Sequence, residues 1–201
     1  LPMLFIVAQK ETGSALVYIS FFLMFYREGM TGSVLFTGVA MVIYFVVGIR
    51  YEEALMFDTT TSIGKFAVLL LVQIFTSGMV YVYCKDKQQA LTILVYSVGI
   101  TLLALLFAVF VIPFDIVWVQ LAVSAGLVGY LVYLWMNRRI KHYLYILLFT
   151  IGSIAFFYSA DYVLNNIMEP HQRVRINVLL GLDEDLAGAG YNVHQSEIAI
   201  G

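Results

Sequence analysis

The chain of 201 residues is 62% hydrophobic and only 12% charged, with a mean hydropathy of +0.90. A water-soluble domain typically carries about 25% charged and about 45–50% apolar residues, so this composition cannot clothe a water-facing surface. The net charge of −2, without a basic stripe, excludes a nucleic-acid partner, because nothing would neutralise a phosphate backbone.

The apolar residues come in blocks, and the blocks set the length scale. Crossing about 30 Å of hydrocarbon at about 1.5 Å per residue takes roughly 20 mainly apolar residues. Uncharged stretches bounded by charges then predict the spans in chain order. Leu1–Gln9 reads as the tail of one helix and Ser14–Tyr26, with its flanks, as a second, short one. Val34–Ile49, Phe66–Cys84, Gln88–Val111, Ile116–Met136 and Tyr143–Val163 follow. The expected fold is all-α, a polytopic transmembrane helix bundle over residues 1–168 with about six full spans and a partial one. Leu1-Pro2 opens inside an apolar run without an initiator Met or a basic flank, and Ile198–Gly201 stops within an apolar phrase. The expectation is therefore an internal piece of a larger protein, and Leu1–Ala8 does not read as a signal peptide.

Small residues inside the spans (Gly38, Gly99, Ser124, Gly126, Gly152 and Ser153) predict places where helices approach closely. Aromatic residues gather near many span ends, as at a membrane interface. Cys84 is the sole cysteine, so no intrachain disulfide can form, and it reads as a small apolar helix residue.

Loop charge predicts orientation. Alternate loops carry Arg27, then Lys85 and Lys87, then Arg138, Arg139 and Lys141. These short basic loops are expected on the cytoplasmic side. The others carry Lys10-Glu11, the stretch from Arg50 to Lys65 with Glu52, Glu53 and Asp58, and Pro113-Phe114-Asp115. The span ending near Val163 then exits on the outer face. Asp161 is expected at that interface, because an aspartate at a helix centre costs roughly 2.5–3.5 kcal/mol on insertion scales.

Residues 169–201 differ in kind and read as a polar extracytoplasmic loop. Pro170 can open a short helix and Gly181 can close it, with Val174 and Val178 one turn apart on the bilayer surface. Arg173 and Arg175 are two residues apart and cannot share a helix face, so at most one is expected to point at a given ligand. Asp183-Glu184-Asp185 precedes Gly188-Ala189-Gly190, whose glycines permit a tight turn. His171 and His194 do not have the spacing of a zinc site.

This segment carries a resemblance. Glu169-Pro170-His171-Gln172-Arg173-Val174-Arg175-Ile176 is followed by Asp185-Leu186-Ala187-Gly188-Ala189-Gly190-Tyr191 and by Gln195-Ser196-Glu197-Ile198-Ala199-Ile200-Gly201. Together these resemble the signature of the SEDS family, the RodA and FtsW proteins of bacterial cell-wall synthesis, with the RodA branch the nearer. Gln9-Lys10-Glu11-Thr12-Gly13-Ser14-Ala15 is similar to a second family phrase and stands in the right order. Four positions depart from the pattern: Lys10-Glu11 replaces Pro-Asp, Leu186 replaces a Pro, and His171 stands where Tyr is common. Many relatives have one span between the two phrases, whereas this chain has about five, a surplus of four that includes the added set around 66–136. The surplus is even, so the polar loop still emerges on the same face.

What the resemblance implies is a peptidoglycan glycosyltransferase of the bacterial cytoplasmic membrane, serving elongation or division. Such an enzyme polymerises lipid II, an undecaprenyl-diphosphate-linked disaccharide-pentapeptide, beside a class B penicillin-binding transpeptidase. Going from an α-linked donor to a β-1,4 bond takes one inverting displacement, for which a single carboxylate base suffices, typically supplying about 10²–10⁴-fold. Asp185 occupies the position of the family's essential aspartate and is the expected base. Positive charge for the departing diphosphate comes from arginine or from a divalent cation; no other cofactor is implied. Arg173 and Arg175 bind that diphosphate or touch membrane lipid headgroups, and Gln172 and Gln195 bond sugar hydroxyls or fix the loop. Glu11 faces the cavity or packs its helix; Asp183 and Glu184 are bystanders unless they hold a cation. Two other readings remain beside this one: a transporter or flippase for lipid-linked precursors, and a non-catalytic scaffold that recruits a transpeptidase.

Overall fold

The computed structural model describes residues 24, 27–29, 31–56, 60–168, 173, 174, 176, 177 and 182. Five helices account for most of them: α1 (Gly32–Arg50), α2 (Ile63–Cys84), α3 (Lys87–Phe110), α4 (Ile116–Arg138) and α5 (Lys141–Tyr162). Each is long and apolar enough to cross a membrane, and the predicted bounds are met to within about one helical turn. Among the described residues the sole β pairing is an isolated antiparallel bridge between Leu55 and Ser62. The spans predicted at Leu1–Gln9 and Ser14–Tyr26 lie outside the described residues, Met24 apart.

The chain divides into two compact units after Val42, within α1. In the first unit, Val34 N–H donates to the Thr31 carbonyl at 3.0 Å and starts α1, and Gly29 takes a φ of +104° in the turn before it. The second unit holds the rest of α1 and α2 to α5.

Within the second unit α2 packs against α3, α4 and α5, and α4 packs against α3 and α5. Two-residue turns, Lys85-Asp86 and Arg139-Ile140, join α2 to α3 and α4 to α5. Lys85 and Arg139 both adopt left-handed backbone, with φ of 54° and 53°, where glycine is the usual C-terminal residue. Placing a cation there costs backbone strain but sets positive charge against the negative end of each helix dipole. Asp86 ties the two turns together. It caps α3 through Gln89 N–H at 3.2 Å, pairs with Arg138 at 3.4 Å and accepts from the Tyr143 hydroxyl at 3.4 Å.

Lipid and a protein core are equally apolar, so close packing and interhelical hydrogen bonds rather than hydrophobicity hold such helices together. Here α2 extends a different polar residue to each neighbour. Gln73 donates to Gln120 and Ser124 of α4, Thr76 shares a 2.9 Å hydrogen bond with Thr150 of α5, and Ser77 donates to the Ala90 carbonyl of α3 at 2.7 Å.

The glycines behave differently from the sequence expectation. A Cβ built on Gly99, Gly126 or Gly152 would meet nothing within 4 Å, so these do not mark close helix approach. The close approaches are at Gly48 and Gly64, which the small-residue pattern did not single out. A Cβ on Gly64 would lie 2.3 Å from the Gly48 carbonyl oxygen, and one on Gly48 would lie 2.4 Å from the Phe157 ring.

Candidate functional site

The helix end where α1 finishes, α2 begins and α5 finishes carries the densest polar arrangement described. It starts with the 51–62 loop, which folds back on α2. Ile63 N–H donates to the Ala54 carbonyl and Gly64 N–H to the Tyr51 carbonyl, both at 2.8 Å. The absence of a Cβ on Gly64 lets the loop sit this close. Ser62 caps α2, its hydroxyl accepting from Lys65 N–H at 3.5 Å and donating to the Glu52 carbonyl at 2.7 Å. Thr61 Oγ1 accepts from Ile116 N–H at 2.8 Å, which satisfies one of the unpaired amides at the start of α4. The loop is therefore fixed to two helix N-termini, and Glu52 is held in place.

Glu52 then faces residues from the far end of the sequence. Past Tyr162 the α5 backbone widens into a π-helical turn, Val163–Ile167, closed by Met168 N–H donating to the Val163 carbonyl at 3.0 Å. This turn presents Asn165, whose Nδ2 donates to both Glu52 Oε1 at 3.1 Å and Asp161 Oδ1 at 2.9 Å. Lys65 pairs with the other Asp161 oxygen at 3.6 Å. Partial burial, reinforced by the neighbouring Asp161 carboxylate, pushes the Glu52 carboxyl above its ordinary value of about 4.5; the Asn165 hydrogen bond and Lys65 oppose that shift.

Arg173 is the one predicted site residue that falls among those described. It is helical, as are Val174, Ile176 and Asn177, in line with a short helix after Pro170. An Nη2 hydrogen of Arg173 is donated to the Asn165 carbonyl, and its Nε is enclosed without a hydrogen-bond partner. Arg173 also lines a cavity of about 230 Å³ together with Glu52, Glu53, Asn165 and Asn177, over the aliphatic side chains of Ile49 and Leu164. A space so lined can take a small polar or anionic group: the carboxylates and amides bond hydroxyls, and the guanidinium bonds oxyanions.

No family model, curated protein or solved structure matches the chain. Asp185, Arg175, Gln172, Gln195 and Glu11 lie outside the described residues, as do Asp183, Glu184, His171 and His194. Among the described residues no three His, Cys, Asp or Glu side chains stand together as metal ligands; positive charge at this end comes from Arg50, Lys65 and Arg173.

Asp161 lies where the sequence led us to expect it, near a span end, but its partners could not be read from spacing. Glu52, Lys65 and Asn165 were not singled out as site residues. The available signal was the five charges of the 50–65 stretch, Arg50, Glu52, Glu53, Asp58 and Lys65, together with an Asp followed four residues later by an Asn at the end of α5. Asp161 and Asn165 at that separation share a helix face.

Proposed function

We propose that this chain is part of a peptidoglycan glycosyltransferase that polymerises lipid II at the outer face of a bacterial cytoplasmic membrane. The observation that carries the reading is the ordered set of phrases from Gln9 to Ala15, Glu169 to Ile176, Asp185 to Tyr191 and Gln195 to Gly201. The geometry supports it in one respect. Arg173, inside the second phrase, stands at a helix end over a polar cavity, where a diphosphate at the membrane surface could be met by a guanidinium.

The proposed step is a single inverting displacement. The Asp185 carboxylate takes the proton from the 4-hydroxyl of the acceptor sugar as that oxygen bonds to the donor's anomeric carbon. The anomeric carbon–oxygen bond to the lipid diphosphate breaks, and the electron pair leaves with undecaprenyl diphosphate. Arg173 stabilises the charge gathering on that leaving group, an interaction stronger in the transition state than before it. One base is enough, because no covalent glycosyl-enzyme forms.

A transporter would place ionisable groups within the bundle. The buried polar side chains described between the helices are instead neutral: Gln73, Gln120, Thr76, Thr150, Ser77, Ser97, Thr101, Ser124 and Ser153. The charges gather at helix ends, which favours chemistry at a surface.

The test is reconstitution of the full-length protein with its class B transpeptidase and lipid II, comparing wild type with Asp185→Ala and Asp185→Asn. Glycan strands are expected from wild type alone, with both variants still inserting and still binding the partner. Equal polymer from Asp185→Ala would end the assignment of the base. Lipid II translocation without polymer would identify a flippase, and partner recruitment with neither would identify a scaffold.

A further inference from the structure

We propose that Asn165 is a positioning residue that sets the Arg173 guanidinium for an oxyanion ligand, held in register by Glu52, Asp161 and Lys65. The inference rests on the reading above, in which Arg173 meets the lipid diphosphate, and it adds the device that aims the arginine.

The argument begins with a helix end. The last carbonyls of a helix have no partner within it, and a π-helical turn adds a local widening of a kind often found at functional sites. The Asn165 carbonyl lies in such a turn and accepts from Arg173 Nη2. An arginine on a short helix with one anchored nitrogen has its planar fork oriented, whereas a free one samples many rotamers, and a pre-oriented fork loses less entropy per hydrogen bond formed. Nε of Arg173 is enclosed and Nη2 is anchored, which leaves Nη1 as the donor for a ligand oxygen in the cavity that Arg173 lines.

The carbonyl can aim the arginine only if the residue carrying it is itself fixed. Both hydrogens of the Asn165 amide are committed, one to Glu52 and one to Asp161. Asp161 is held in turn by Lys65 of α2, and Glu52 by the loop capped at Ser62. Asn165 thus joins the 51–65 stretch to the polar segment that follows α5. In the SEDS resemblance the helices around 66–136 are additional to the usual pattern; Lys65 at the entry to α2 gives that end of the addition a task, bracing the loop's arginine.

The experiment is a double-mutant cycle read by two assays on the full-length protein with its transpeptidase partner. The first is binding of undecaprenyl diphosphate in nanodiscs, and the second is lipid II polymerisation resolved into KM and kcat. Arg173→Ala is expected to weaken binding about tenfold or more, in keeping with loss of a charge-assisted hydrogen bond. Asn165→Ala and Glu52→Ala are each expected to weaken it roughly three- to tenfold, and to raise KM more than they lower kcat. Glu52→Gln, which keeps an acceptor for Asn165, should restore most of the loss. Adding Asn165→Ala to Arg173→Ala should cost nothing further, because Asn165 acts through the arginine.

Equal penalties from Asn165→Ala in both backgrounds, with unchanged thermal unfolding, would overturn the proposal. So would wild type that binds no undecaprenyl diphosphate. Coupled binding without any polymer would leave the positioning role standing and remove the glycosyltransferase reading; polymer without coupling would do the reverse.

Discussion

Gln73 and Gln120 face each other across the contact of α2 and α4, the Nε2 of the first donating to the Oε1 of the second at 2.8 Å, with both side chains fully buried. Ser124 accepts from the same Nε2 at 3.2 Å. A neutral amide pair of this kind is a directional contact in a medium where apolar faces cannot choose among one another. Removing one partner strands the other. Gln73→Leu is therefore expected to destabilise the protein by about 1–3 kcal/mol, the cost of an unsatisfied buried polar group. Adding Gln120→Leu should recover part of that loss. Thermal unfolding in detergent of the two single variants and the double variant checks this, and strict additivity would contradict it.

Glycine positions that look alike in sequence should respond in opposite ways. Gly64→Ala sets a methyl 2.3 Å from the Gly48 carbonyl oxygen, a backbone atom that cannot step aside, so a loss of about 1–3 kcal/mol is expected from overpacking. Gly152→Ala meets nothing within 4 Å and should be neutral or stabilise by up to about 1 kcal/mol through helix propensity. Unfolding midpoints of the two variants, measured side by side, are the check.

The acid dependence of the Glu52 cluster has a definite sign. The raised carboxyl value means that the folded state holds a proton where the unfolded chain has lost it. Above the raised value Glu52 is ionised despite burial and the Asp161 carboxylate, which is a penalty on the fold. As pH falls through the raised value toward the ordinary 4.5, that penalty is relieved and stability rises. Unfolding temperature measured from pH 8 down to pH 5 should therefore climb in wild type relative to Glu52→Gln, whose neutral amide does not titrate. Identical profiles would show that the carboxyl is not perturbed.

Orientation can be read with single-cysteine labelling, since Cys84 is the sole cysteine among these 201 residues. In a Cys84→Ala background, Asn166→Cys in the π-helical turn should react with a membrane-impermeant maleimide on intact spheroplasts. Asn137→Cys, in the last turn of α4 beside Arg138, should react only after permeabilisation. The reverse pattern would place the Asp185 loop in the cytosol, away from the outer face that lipid II polymerisation requires.

The sequence by itself determined that the chain has helices long and apolar enough to cross a membrane, and where each described helix runs. The hydrocarbon thickness selects apolar blocks by length alone, and the helix ends follow from the charged residues that bound those blocks; that Asp86 and Asp115 cap α3 and α4 came from the structure. Asp161 at a span end was legible for the same reason, because burying it midway would be costly. Which faces meet was decided only in three dimensions. In water an amphipathic period marks the buried side of a helix, but lipid is as apolar as the core, so the period is missing from these spans. Gly64 therefore could not be told from Gly126 by pattern. The contact between Glu52 and Asn165 spans 113 residues of sequence and exists only because α1, α2 and α5 bring their ends together, a placement that no local spacing encodes.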